Sequence, residues 1–212
     1  MAGQSIVDIC NSALQRCGSA TIQSLTDNSR EARACSVAYD SNRRDELRRH
    51  FWKFAMKRVV LAPDSATPAS DFTYQFSLPT DCLRVFFPND AYLDWSVEGR
   101  KILTNSAQSP FGSYSDPNLV QVVTTTPPTV SLNLRYVADI IDVTQWDASF
   151  YSVMSLALAM DICEVLTNST SKRQSIKDEY KDAMAEARVA DAFESLPTDP
   201  PEDGWVLARL GC

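Results

Sequence analysis

A single histidine, His50, limits the chemistry open to this 212-residue chain. A zinc site built on two histidines is excluded. Ser–His–Asp or Cys–His catalysis would have to use His50. That residue sits among arginines near a predicted helix end, where a cation also complements the helix dipole. No GxSxG, GxxxxGK[ST] or GxGxxG pattern occurs in the sequence, so neither a serine nucleophile elbow nor a phosphate-cradling loop is signalled. The six cysteines, Cys10, Cys17, Cys35, Cys82, Cys163 and Cys212, are scattered without CxxC spacing. They read as reduced, structural thiols that pack as small apolar groups. Acid–base catalysis needs two carboxylates in one cleft; with 27 Asp and Glu residues such pairs are inevitable, yet none falls in a recognisable motif. The sequence therefore predicts no catalytic residue, no metal site and no cofactor.

Two segments carry more signal. The first is a basic run, Arg43, Arg44, Arg48, Arg49, Lys53, Lys57 and Arg58, interleaved with Phe51, Trp52 and Phe54. Nine basic and four acidic residues lie between Arg30 and Arg58; the whole chain carries −7, so the remainder carries −12. Such a run fits a patch facing phosphates or an acidic partner. It also fits a solvated helix face neutralised from within by Asp45 and Glu46. The second segment is residues 196–212. Pro197, Pro200 and Pro201 with Asp199, Glu202 and Asp203 form a spacer that cannot be helical, and Trp205, Val206, Leu207, Arg209 and Leu210 form an apolar tip. Tryptophan and arginine on an apolar tip are the composition of an interface hot spot, and the alternative is a disordered terminus or one folded back on its own domain.

The elements that would hold these segments are legible from periodicity. Ile6, Ile9, Cys10, Ala13, Leu14 and Cys17 make one apolar stripe, with Ser5 as cap and Gly18 as stop. A second helix starts at Asp27 or Asn28, with Asn28 and Glu31 at capping-box spacing, and runs to about His50, burying Ala32, Cys35, Ala38 and Tyr39. Beyond the Pro63–Ser70 loop the period drops to two. Strands are predicted at Phe72–Leu78, Leu83–Phe87, Ala91–Val97, Lys101–Leu103, Val120–Val123 and Val130–Val137, with a hairpin turn at Glu98-Gly99-Arg100 and an exposed loop over Asn105–Asn118. Helix returns over Asp147–Leu166, its apolar face reaching Val165, and again from a Ser171–Gln174 capping box to about Glu194, with Ala183 and Ala190 among its packing positions. Asn168-Ser169-Thr170 is the turn between them.

Together these predict an α+β, mainly helical fold: a bundle of about four helices from 1–62 and 140–195, an inserted small antiparallel β region at 63–139, and an extended C-terminal arm at 196–212. A chain of this length can bury roughly 70% of its unfolded surface without disulfide or metal staples. The longest charge-free apolar stretch in its last third, Ala148–Met160, has 13 residues, short of the ~20 that span a membrane. No basic, then apolar, leader is visible at the N-terminus. The net acidic charge argues against whole-surface nucleic-acid binding.

The ordered motifs resemble one family. They are Ile9-Cys10-Asn11-Ser12-Ala13-Leu14, Gly18, Ile22-Gln23-Ser24-Leu25-Thr26-Asp27, Glu31-Ala32, Tyr39-Asp40, Arg44-Asp45-Glu46-Leu47-Arg48, Phe51-Trp52-Lys53-Phe54-Ala55 and Leu61-Ala62-Pro63. Leu78-Pro79-Thr80-Asp81-Cys82-Leu83-Arg84-Val85, Val97 through Thr104, Arg135-Tyr136-Val137 and Trp146 through Leu158 continue the series. The set resembles the head-to-tail adaptors (tail tubular protein A) of short-tailed bacteriophages, over about residues 5–194. The resemblance implies a structural virion protein, assembled in the host cytoplasm and located in the phage neck. It implies a twelve-fold ring of copies below the portal, a C-terminal arm reaching the portal ring, a tail nozzle (tail tubular protein B-like) on the opposite side, and genomic DNA passing through the lumen. It implies no enzyme activity, no cofactor and no membrane. The basic run would then pair with an adjacent subunit or the portal. Two other readings stay open: a cell-wall-hydrolysing tail accessory protein, and a helical DNA-binding protein.

Overall fold

The structure is a computed structural model, and it describes residues 5–86, 94–105 and 131–194. Four helices and six strands lie among the described residues. The first helix, α1 (Ile6–Cys17), opens on a reciprocal box: the Asp8 amide donates to Ser5 Oγ at 3.2 Å and the Ser5 amide donates to Asp8 Oδ2 at 2.9 Å. It closes at Gly18, whose φ of 71° is left-handed. The predicted stripe is the buried one, with Ile9, Cys10, Ala13, Leu14 and Cys17 inside.

The second helix, α2 (Arg30–Arg49), starts later than the Asn28 box predicts. Ser29 is its cap, accepting from the Ala32 amide at 3.1 Å. The shift leaves the buried face as predicted, with Ala32, Cys35, Ala38 and Tyr39 inside. The hairpin of α3 (Ala148–Thr167) and α4 (Thr170–Phe193) shows the same kind of shift. Asn168 turns left-handed (φ 51°), its amide donates to Glu164 O at 3.0 Å, and the next residue, Ser169, already caps α4 in place of Ser171. Val165 is 58% exposed and Ala190 is exposed, so neither belongs to the packed face predicted for it.

The centre of the bundle is α3, packed by α1, α2 and α4. It is long and apolar enough to cross a membrane by length and composition alone, with mean hydropathy 1.5, and 56% of that window is buried within the protein. The 13-residue limit read from sequence is therefore too strict, because the helix continues through Asp161 to Thr167. Its surroundings account for its apolarity. The Trp52 and Trp146 rings meet Phe150 edge-on at 5.0 and 4.9 Å, and each indole N–H donates to a carbonyl six residues upstream, Glu46 and Ile140, at 3.0 Å.

The β region begins before the boundary predicted at 62/63. Met56–Leu61 is a strand, β1, paired antiparallel with β6 (Leu132–Ala138) so that Arg58 faces Arg135 and Leu61 faces Leu132. On the other side of β6 lies β3 (Cys82–Phe86), with an irregularity between Cys82 and Arg84. A second sheet has the order β2-β5-β4, from Tyr74–Ser77, Lys101–Thr104 and Trp95–Glu98. The predicted hairpin is there: Gly99 (φ 52°) and Arg100 (φ 61°) make a two-residue loop of the primed type that matches strand twist. The predicted strand at Val120–Val123, most of the Asn105–Asn118 loop, Ala91–Leu93, Phe87, Val130 and the arm lie outside the described residues.

Candidate interaction surfaces

The basic run divides into buried and exposed members. Arg43 points inward with 4% of its side chain exposed. Its Nε and Nη2 donate to the two oxygens of Asp139 at 2.9 and 3.2 Å, and its Nη1 reaches Asp40 at 2.5 Å. Burial disfavours its charge, but the hydrogen bonds and attraction of Asp139 and Asp40 outweigh that and hold its pKa above the ordinary arginine value. Arg44 shares Asp139 at 3.1 Å. Arg48 donates to Leu83 O at 2.6 Å. Arg49 lies 3.3 Å from Glu46 and donates to Tyr180 OH at 3.2 Å. Lys57 donates to Asp81 at 2.8 Å. Burial raises the pKa of Asp81, yet its bonds from Lys57 and Tyr136 prevail and hold it below the usual carboxylate value. Much of the run thus ties α2 to the sheet and to α4.

His50 caps the end of α2, as its place in the sequence suggests. Its Nε2 lies 3.0 Å from Asp191 Oδ2, and the Lys53 amide donates to Asp191 Oδ1 at 2.8 Å. The Asp191 carboxylate, 6% exposed, therefore ties the chain after α2 to the last turn of α4. The imidazole is engaged in this link and meets the Trp52 ring edge-on at 4.8 Å. Five cysteines, Cys10, Cys17, Cys35, Cys82 and Cys163, are free and buried. Hydrogen bonding to Cys35, with burial, pushes the Cys10 thiol up, away from the thiolate that nucleophilic chemistry uses. Among the described residues no group of three or more His, Cys, Asp or Glu side chains could hold a metal ion.

The structure adds residues to the basic set that no contiguous run reveals. Arg84 stacks over Phe51 at 4.1 Å and Arg135 over Phe86 at 4.3 Å, while the two phenylalanines meet edge-on at 4.8 Å. Arg58 stands opposite Arg135 in the ladder. The signal was strand alternation: residues two apart share a face, but the pairing of β3 with β6 crosses about fifty residues and is not written locally.

A second feature is a groove between α2 and α3, lined by Arg30, Arg33, Ala34, Val37 and Val165 with Asp161 at its side. Val37 is 83% exposed. The guanidinium of Arg30 donates to Val165 O, and Arg33 Nε donates to Ser29 O at 3.1 Å; neither has a carboxylate partner among the described residues. The predicted docking tip, Trp205, Val206, Leu207, Arg209 and Leu210, lies outside the described residues. Compared with known proteins, the chain matches no family model and no curated protein.

Proposed function

We propose that this chain is the subunit of a head-to-tail adaptor ring in a short-tailed phage virion, seated between the portal and the tail nozzle. One observation supports the reading: the ordered motifs fall on successive elements of a helical bundle interrupted by a β region. Ile9–Leu14 lies in α1, Arg44–Arg48 in α2, Leu78–Val85 leads into β3, Val97–Thr104 spans the β4–β5 hairpin, Arg135–Val137 lies in β6, and Trp146–Leu158 opens α3. Their most buried members, Leu14, Leu47, Trp52, Ile102, Val137 and Phe150, are core residues, so the motif set describes a scaffold.

Assembly is then the mechanism. The segment 196–212 docks on the portal, with Trp205, Leu207 and Leu210 as its anchoring side chains. A subunit of net charge −7 suits a channel through which DNA must slide, because fixed cationic contacts with phosphates along its length would hold the duplex. The test is the mass of the complex formed with purified portal rings. The expected result is a portal bearing many copies, with Trp205→Ala weakening that binding about tenfold or more while leaving the circular dichroism of the chain unchanged. A portal whose mass does not change overturns the reading.

A further inference from the structure

The outer face of α4 carries a row of side chains that its own bundle does not use. Ile176, Tyr180, Met184, Ala187 and Asp191 face the core. On the opposite side, at helical spacing, stand Asp182, Glu186, Val189 and Phe193. Val189 is 55% and Phe193 84% exposed. Asp182 and Glu186 have no ion-pair partner among the described residues. The row is acidic at its start and apolar at its end.

The groove between α2 and α3 is its complement. Along α2 the exposed row runs Arg30, Arg33, Val37, Ser41, basic at its start and apolar at its middle. Both rows span twelve residues, eleven helical steps from first to last, or about 16 Å of helix. Laid side by side in the same direction, Arg30 meets Asp182, Arg33 meets Glu186, Val37 meets Val189, and Ser41 meets Phe193. Asp161 beside the groove is already engaged by Asn42 Nδ2 at 3.0 Å. The α4 row points away from its own bundle, so the two rows cannot meet within one chain.

We infer that α4 of one copy docks along the α2–α3 groove of the next through these rows. The contact joins two different patches, so it repeats head to tail and generates a ring where the rotation closes. Direction supports this arrangement. Both α2 and α4 run antiparallel to α3: Asn42 reaches Asp161 near the C-terminal end of α3, Trp52 meets Phe150 near its N-terminal end, and α4 follows α3 after a two-residue turn. They therefore run in the same sense, and a rotation of about 30° between copies of a twelve-fold ring preserves it. The antiparallel alternative also brings Val37 to Val189, but it sets Glu186 beside Asp40 and calls on Arg44, which Asp139 already holds. The closed ring rests on the proposed adaptor function; the paired rows do not.

Charge reversal tests both separately. Arg30→Glu/Arg33→Glu reverses the groove, Asp182→Lys/Glu186→Lys reverses the α4 row, and a four-site variant reverses both. All four positions are exposed, and acidic residues in the first turns of α2 suit its dipole, so folding, checked by circular dichroism, is retained. Assembly mass is measured on portal rings and on the chain alone at high concentration. Each two-site variant is expected to lose multi-copy assembly about tenfold or more, and the four-site variant to regain it. Portal-bound rings indifferent to the two-site changes overturn this contact and leave the adaptor reading standing. Charge-sensitive rings that ignore the portal overturn the adaptor reading and leave the contact standing. A mass that stops at two copies, or a four-site variant that does not regain assembly, overturns the contact. A wild-type chain that stays single in both settings overturns both.

Discussion

At the scale of single residues, the most buried carboxylate among the described residues keeps a partner on each oxygen. Glu46 is 1% exposed; its Oε2 accepts from Tyr180 OH at 2.8 Å and its Oε1 lies 3.3 Å from Arg49. Burial raises its pKa above the ordinary 4.5, and the Tyr180 hydrogen bond and the nearby Arg49 charge oppose that rise without cancelling it. A carboxyl whose folded pKa is raised contributes most to stability below its unfolded pKa, and that contribution is lost as pH climbs through the folded value. Glu46→Gln, which keeps the shape and cannot ionise, should therefore gain on the wild type as pH rises above 4.5. The gain is about 1.4 kcal/mol for each unit by which the folded pKa exceeds the unfolded one. Denaturant unfolding of both proteins between pH 4 and 8 measures it, and a difference that does not change with pH contradicts the account. The sequence offered Glu46 only as a surface counter-charge for the basic run. Its burial depends on Tyr180, far along the chain, which no local pattern announces. Arg43 and Arg44 differ for the same reason: adjacent in sequence, they leave the helix in different directions, and only Arg43 is sealed in by Asp139.

At the scale of elements, caps and turns decide where helices begin and end. Gly18 closes α1 with a φ of 71°, and a Cβ there would stand 2.6 Å from Lys172 Nζ, the group that donates to Cys17 O at 2.7 Å. Gly18→Ala is expected to cost about 1–2 kcal/mol of backbone strain, and additionally the displaced lysine bond between α1 and α4. Gly99→Ala serves as the comparison, because its φ of 52° carries similar strain while nothing lies within 4 Å of the added carbon. Thermal unfolding should rank Gly18→Ala below Gly99→Ala; equal losses would show that the lysine moves aside without cost. The Ser5 and Gly18 boundaries were legible because cap, stripe and stop agree. Asn28 and Ser171 differ from the observed caps by one or two residues because serine or asparagine stands at several neighbouring positions, and a start moved that little leaves the apolar face unchanged, so the stripe does not choose among them. The strand Met56–Leu61 was not legible. Lys57 and Arg58 hide its alternation, and its partner strand begins more than seventy residues later.

At the scale of the whole molecule, the two sheets are held unequally. The sheet β1-β6-β3 is fastened to the bundle by Arg43 and Arg44 on Asp139, by Arg48 donating to Leu83 O, and internally by Lys57 and Tyr136 on Asp81. Its central strand β6 buries Leu132, Leu134, Tyr136, Val137 and Ala138. The sheet β2-β5-β4 sends Phe76 and Ile102 into the core, while its edge strand β4 leaves Trp95 41% and Val97 43% exposed. Asp64 ties this sheet together by bonding Ser77 and pairing with Lys101 at 3.1 Å, and Arg100 reaches back to Pro79 O at 2.7 Å. These are exposed polar links, which are weak in water, whereas opening β6 would break a buried ion pair and strip a row of core side chains of their packing. Amides whose release needs only local opening exchange sooner than those released by global unfolding. Hydrogen exchange of the chain in solution should therefore show the amides of Trp95–Glu98 and Lys101–Thr104 exchanging at least about tenfold faster than those of Leu132–Ala138. Arg43→Ala should narrow that gap by loosening β6, because the variant leaves Asp139 without the fork that holds it. Equal protection of the two sheets in the wild type would mean that they open as one unit, and the ion pairs around Asp139 would then not be what distinguishes them.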